Sequence, residues 1–354
     1  MTNVTGRDGL RLPRDKNVTP NVTFSGDQIE RRLSQRVDDF IELHMGGTFD
    51  IRTIRQECQI ETDKAYHALI AKLGREVQAG KLEKSRGIYR VLDNTITLID
   101  WVHADEQEHL PVRWPFGRED ETQFAFDGHV FVSPGDLVVI AGVSNMGKTA
   151  WCLNFLWENM DAFPCTLMGN EYQGSKFKRR VSWMDWAEPL NEHGAPKFEL
   201  IERYDGWKDA IQPDNINIID WINLDDKFYM IGAILQGIRS KLRKGMAVVA
   251  LQKSAGKEMG MGGGFSEHLA SLYLTLDFER MTVKKAKEWD GVNPNGLMDR
   301  FKIVSHGAKF DDIHRIILCP ECRGYAAIKK NPKCQCKGVG YVDYESAQNI
   351  AGVL

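Results

Sequence analysis

No apolar run in this sequence approaches the ~18–20 residues that a membrane-crossing helix needs, and its first residues hold no hydrophobic stretch of the secretory kind. Both absences point to a cytoplasmic protein with no membrane partner. Three Asn-Val-Thr triplets, at Asn3, Asn17 and Asn21, fit the glycosylation pattern, but without an export signal they read as chance matches. Charge of one sign is also lacking: the formal net charge is -3, so any surface for a polyanion has to be a local patch. Cysteine is thin until the last tenth of the chain. Cys58, Cys152 and Cys165 are scattered through segments that read as packed helix or strand, whereas Cys319, Cys322, Cys334 and Cys336 cluster. In a reducing compartment that clustering indicates metal ligation, not disulfides. What is present is a globular composition, 42% hydrophobic and 27% charged, in a chain of 354 residues that accommodates two domains and a small appendage.

Residues 1–26 are polar, hold both early prolines and show no periodicity, so a disordered leader is expected there. From Gln28 to His44 apolar residues recur at helical spacing (Ile29, Leu33, Val37, Phe40, Ile41) until Gly46-Gly47 stops the pattern. Asp50 can cap a short second helix carrying Ile51 and Ile54. Thr62 or Asp63 can cap a third with Ala65, Leu69, Ile70, Leu73 and Val77 on one face. Leu82 to Leu92 reads as a hairpin turning at Ser85-Arg86-Gly87. Three helices and a two-stranded wing over 27–93 resemble a winged helix-turn-helix. Lys64, Lys72, Arg75, Lys81, Lys84, Arg86 and Arg90 stand against Glu76 and Glu83, an excess that suits duplex DNA phosphates, with Arg75 and Arg86 as candidate contacts. A protein-docking module with a solvated basic face is the open alternative. An acidic linker, 94–118, follows, and Trp101, Pro111, Trp114 and Pro115 predict that it lies against the next domain.

Leu137 to Ala141 is a short, wholly apolar segment, as a buried parallel strand requires, and it runs into Gly142-Val-Ser-Asn-Met-Gly147-Lys148-Thr149 ahead of a helical pattern. This is G-x4-G-K-[ST] in its strand–loop–helix setting, a pattern that average residue usage produces in roughly one chain per hundred of this size. Gly142, Asn145, Gly147, Lys148, Thr149 and Ala150 are therefore expected to wrap the phosphates of ATP. Lys148 would reach the β/γ-phosphates and the Thr149 hydroxyl would ligate Mg²⁺. Asn215 to Asp220 is a second apolar strand ending in an acid, and Asp220 would hold Mg²⁺. Trp221, not Glu, comes next, so another carboxylate has to orient the attacking water.

Over about residues 120–310 the chain resembles the RecA/DnaB-like P-loop ATPases. The strand Cys165 to Gly169 is followed by Asn170-Glu171, and Glu171 matches the position of that family's catalytic glutamate. The resemblance also implies that Gln252, ending the strand Met246 to Leu251, senses the γ-phosphate. It makes the Gly-rich, flexible loop Lys253 to Phe265 a loop for single-stranded DNA, with Lys253, Lys257, Gly262 and Gly263 as contacts. Phe228 to Lys244 reads as an amphipathic helix. Further strands are expected at Ser271 to Asp277, Met281 to Lys287 and Asp299 to Val304. Lys285-x-Lys287 resembles the basic pair that such subunits insert into a neighbour's active site, although DnaB-type helicases usually carry Arg at the second position. Tyr273 and Trp221 read as core aromatics.

Cys319-Pro-Glu-Cys322 and Cys334-Gln-Cys336 are separated by eleven residues, including Lys329, Lys330 and Lys333. Two tight turns presenting two thiolates each can close an S₄ site for zinc. The expected fold is thus α/β: a RecA-like P-loop core with a parallel sheet (119–310), an N-terminal winged helix-turn-helix and a small C-terminal zinc ribbon (311–354). The expected function is a DNA-dependent ATPase, a DnaB-like helicase or translocase of bacterial or phage-infected cells, working as a hexamer or filament. The alternatives are a loader or recombinase-like filament protein without unwinding activity, and a DNA-bound regulator that uses ATP only for assembly.

Overall fold

The computed structural model describes residues 26–93, 99–105, 108–222, 228–324 and 331–345, with backbone alone for 26–32 and 228. The expected leader, apart from Gly26, together with Lys329 and Lys330, lies outside the described residues. The chain folds as two units, 1–104 and 105–354. None of its described helices is long and apolar enough to cross a membrane.

The first unit comprises α1 (Gly26–Leu43), β1 (Thr48–Asp50), α2 (Ile51–Glu57), α3 (Asp63–Gln78), β2 (Leu82–Ser85) and β3 (Ile88–Val91). Local chemistry sets most boundaries. The Asp50 carboxylate accepts from the Arg52 and Thr53 amides, and the Thr62 hydroxyl accepts from Ala65, so α2 and α3 each start on a side-chain cap. Arg86 and Gly87 both take positive φ, 48° and 86°, the geometry of a two-residue hairpin turn. β3 pairs with β2 on one side and with β1, a strand the sequence pattern does not signal, on the other. Leu33, Val37, Phe40, Ile54, Leu69 and Leu73 close the core. Ile70, expected on the inner face of α3, is instead 39% exposed, and Glu76 takes an inner position.

The second unit is built on a ten-stranded sheet. Its strands are β4 (Leu137–Gly142), β5 (Cys165–Gly169), β6 (Phe198–Glu202), β7 (Ile216–Ile222), β8 (Met246–Gln252), β9 (Leu272–Asp277), β10 (Arg280–Ala286), β11 (Met298–Val304), β12 (Lys309–Leu318) and β13 (Tyr341–Asp343). The order is β13-β12-β11-β10-β9-β4-β8-β7-β5-β6. From β9 to β6 all pairings are parallel, and from β9 to β13 all are antiparallel. Every residue of β4 is buried, and its alternate side chains enter two cores. Val138 and Ile140 join the core that includes α4 (Lys148–Asn159), while Leu137, Val139 and Ala141 join the one that includes α6 (Ile231–Arg239). Burial on both faces explains why this strand reads as continuously apolar. The chain leaves β4 through α4 and re-enters at β5, with β8 and β7 standing between them. A crossover of this kind sets the P-loop at the carboxyl ends of the strands, the end at which open α/β sheets bind ligands.

Three expectations need correction. The boundary at 310/311 falls inside β12, which pairs with β11 from Lys309 to Ile316, so the tail continues the main sheet. The helix expected over Phe228 to Lys244 is a 3₁₀ turn followed by α6, which ends at Arg239. The described tryptophans of the linker differ from each other and, at Trp101, from the packing expected. Trp114 is buried and packs against Trp151 and Phe155 of α4, while Trp101 is 78% exposed.

Candidate nucleotide and metal sites

The turn after β4 is held by steric need. Asn145 and Gly147 take positive φ, 61° and 96°. A Cβ on Gly147 would lie 2.6 Å from the Ile303 Cδ1, and one on Gly142 would lie 2.9 Å from the Lys148 Cγ. Thr149 and Ala150 follow Lys148 in the first turn of α4. Lys148 is buried, and its ammonium donates to the Gly142 carbonyl (2.9 Å), the Val143 carbonyl (3.0 Å) and the Gln252 Oε1 (3.2 Å). Burial lowers its pKa, against the opposing charges of Asp220 and Glu171. Gln252 reaches it because β4 and β8 are paired in register, Gly142 beside Gln252.

Asp220 lies in β7, is 3% exposed and accepts a 2.6 Å hydrogen bond from the Tyr172 hydroxyl on its Oδ2. Its Oδ1 is buried without a geometrically satisfied protein partner. Burial pushes this carboxyl up, opposed by the Tyr172 and Thr149 hydroxyls, Lys148 and Arg180. An orphaned carboxylate oxygen beside a threonine hydroxyl and a P-loop is the donor set a hard divalent cation uses. Glu171 sits two residues past β5, exposed, with its charge felt at Lys148.

The loop after β8 departs from the expected flexible strand-binding loop. Lys253 is 2% exposed, and its ammonium donates to Asp277 (2.6 Å) and to the Lys257 carbonyl (2.9 Å), so it braces the loop and does not face solvent. The Tyr273 hydroxyl accepts from the Gly260 amide (2.9 Å) and bonds Ser266 (3.0 Å), and the Met261 amide donates to Gln252. Gly262 and Gly263, both at positive φ, turn the chain into the short helix α7 (Gly264–His268). Ser254 to Glu258, including Lys257, is exposed, as are Gly264 and Phe265, and the first of these stretches stands beside a cavity of about 1180 Å³ that Met146, Lys257, Arg300 and Tyr341 help to line.

Of the lysine pair, Lys285 donates to the Glu267 and His268 carbonyls (2.7 and 3.2 Å), which engages it within its own chain. Lys287 is exposed with no side-chain partner among the described residues. In the first unit, Lys72 is paired with Asp38 and Glu76, Lys81 with Glu76 and Arg90 with Glu83. Arg75 and Arg86 remain exposed and unpaired among the described residues. Sequence reasoning missed Tyr172, and it missed α5 (Gly174–Val181), which presents Lys176, Lys178, Arg179 and Arg180 to solvent. The signal for α5 was visible as a run of cations; Tyr172 carried none.

The sulfurs of Cys319, Cys322, Cys334 and Cys336 lie within 4.8 Å of one another. Their nearest separations, 3.5 and 3.6 Å, approach the ~3.8 Å between sulfurs each ~2.3 Å from a tetrahedral ion. Arg323-Gly324 and Lys337-Gly338 turn at positive φ just after each pair, and the Gly340 amide donates to the Cys336 sulfur (3.2 Å).

These features define a P-loop α/β nucleotide-binding class with an attached four-cysteine cluster. No protein-family model and no curated protein matches the chain. Among solved structures it is similar to a KaiC-like protein of the hyperthermophilic archaeon Pyrococcus horikoshii OT3, at 16% identity and a TM-score of 0.42, over 58% of this chain and 100% of that one. It is similar also to a RadB recombinase, at 16% identity and a TM-score of 0.39, over 53% of this chain and 93% of that one. At that level of likeness the fold rests on the strand order and the P-loop described above.

Proposed function

We propose that the chain is a DNA-dependent ATPase of the RecA/DnaB-like type, acting as a helicase or translocase. The observation that carries the ATPase reading is the Lys148 ammonium, held by two P-loop carbonyls and by Gln252 at the end of the neighbouring strand. Phosphate oxygens compete for that ammonium, so nucleotide arrival frees Gln252, whose own carbonyl holds Met261 of the Gly-rich loop. Ligand state is thereby passed to a surface segment. Glu171 is the exposed carboxylate placed to orient water, and Lys148 stabilises the charge of the transferred phosphoryl group. Thr149 and Asp220 would hold Mg²⁺, which neutralises phosphate charge when bound. Lys257 supplies the loop's free cation for single-stranded DNA. Arg75 and Arg86, on α3 and the β2–β3 turn of a winged-helix-like unit, are assigned to duplex phosphates. The four cysteines are assigned to structural zinc.

The expected outcome is ATP turnover that single-stranded DNA stimulates, with ATP-dependent displacement of a paired strand. Lys148→Ala loses nucleotide binding, while Glu171→Gln binds ATP and turns it over at least about 100-fold more slowly, the size of a lost general base. Wild-type turnover in Glu171→Gln would remove Glu171 from its role. ATP-dependent filaments on DNA without strand displacement would replace the helicase by the recombinase-like reading.

A further inference from the structure

We infer that Tyr172 is the positioning residue of the metal site, fixing the Asp220 carboxylate so that its Oδ1 is presented to a divalent cation. The inference rests on the nucleotide-site reading above and adds a residue to it. Tyr172 is buried, and its hydroxyl donates to the Asp220 Oδ2 at 2.6 Å; the buried Oδ1 makes no hydrogen bond of good geometry, and the Thr149 hydroxyl is the other hydroxyl acting on this carboxyl. A carboxylate free to rotate about its terminal torsion would present either oxygen. Anchoring one of them with a short hydrogen bond sets the direction of the other.

The ring is placed as firmly as the hydroxyl. Gly169 ends β5 against the Asp220 carbonyl, where a Cβ would stand 2.3 Å from that oxygen and 2.8 Å from the Tyr172 ring. The absent side chain is therefore the space into which Tyr172 folds back. Phe177 of α5 meets the ring edge-on, with centroids 5.3 Å apart. Tyr172 also adjoins Glu171, so one peptide bond links the proposed base to the residue that aims the metal carboxylate. Strand, glycine, tyrosine and aspartate form a single unit drawn from β5 and β7.

The test uses Tyr172→Phe in the full chain, which keeps the ring and removes the donor. A fluorescent ATP analogue reports binding, first in EDTA and then along a Mg²⁺ titration, so the readout does not depend on turnover. Binding in EDTA should match wild type, and the Mg²⁺ concentration for half-maximal tightening should rise about 10-fold, the lower end of what loss of a metal ligand's outer partner costs. In an Asp220→Asn background the same change should have no further effect, because Tyr172 acts through Asp220. An unchanged Mg²⁺ midpoint in Tyr172→Phe, or an equal effect in both backgrounds, overturns the inference while leaving the nucleotide site intact. A wild-type chain whose nucleotide binding ignores Mg²⁺ overturns the nucleotide-site reading, and the inference with it.

Discussion

At the scale of single residues, burial decides which charges are free to act. Lys253 and Lys285 looked in sequence like two more exposed lysines. Their ammonium groups are instead engaged by Asp277 and by the α7 carbonyls, which leaves Lys257 and Lys287 as the solvent-facing members of each set. Such partners lie 17 to 24 residues away in sequence, and no local pattern announces them. Asp299 shows the opposite case. It lies on β11, 1% exposed, with one oxygen accepting from the Ala125 amide and the other without a partner, and burial raises its pKa to about 7. The folded state therefore keeps this proton where the unfolded chain has lost it. The contribution is full below about pH 4 and is lost as pH rises toward about 7. At ~1.4 kcal/mol per pH unit it amounts to something on the order of 1–3 kcal/mol between pH 5 and 7.5. Denaturant unfolding across that range should show Asp299→Asn lacking this decline, with the difference between the two curves isolating the residue. Parallel curves would mean that Asp299 titrates normally in the fold.

At the scale of elements, helix starts, the hairpin turn and the P-loop were legible because each depends on a few adjacent residues. Asp50, Thr62, Arg86-Gly87 and Gly142 to Thr149 act on their own backbone or the next turn. The strands β1, β6, β12 and β13 were not, since each is stabilised by a partner strand more than by its own composition. The cysteine element falls between these cases. Its two pairs are local motifs, but their closure requires the chain to return along β12 as β13. About one zinc per chain is expected by elemental analysis, released in a Cys334→Ser/Cys336→Ser double variant. Hydrogen exchange should then rise over 319–345, with β4 and β8 unaffected, because small metal-bound turns owe their order to the ion. Stoichiometric zinc retained in the double variant would rule out the S₄ site.

At the scale of the whole molecule, Glu171, Lys148 and Asp220 come from one chain, and charge developing on a transferred phosphoryl group calls for a further cation. Lys287, exposed and unpartnered among the described residues, is the candidate supplied by a second copy. Turnover per chain should rise with protein concentration. Lys287→Ala should be inactive alone and regain partial activity when mixed with Glu171→Gln, since one interface would then combine an intact glutamate with an intact lysine. Normal turnover by Lys287→Ala, or turnover independent of concentration, would show that no lysine acts in trans. The amino-acid sequence by itself determined the strand–loop–helix of the P-loop, the acid late in the apolar β7 segment, the caps of α2 and α3 and the paired cysteines, because each is a short-range match between residue chemistry and backbone. Only the tertiary structure decided that Lys148 meets Gln252 across 104 residues, that Tyr172 holds Asp220 across 48, and that the sheet runs past residue 310 into the cysteine tail. Those contacts depend on strand order and register, which place distant residues side by side and which no local stretch of sequence encodes.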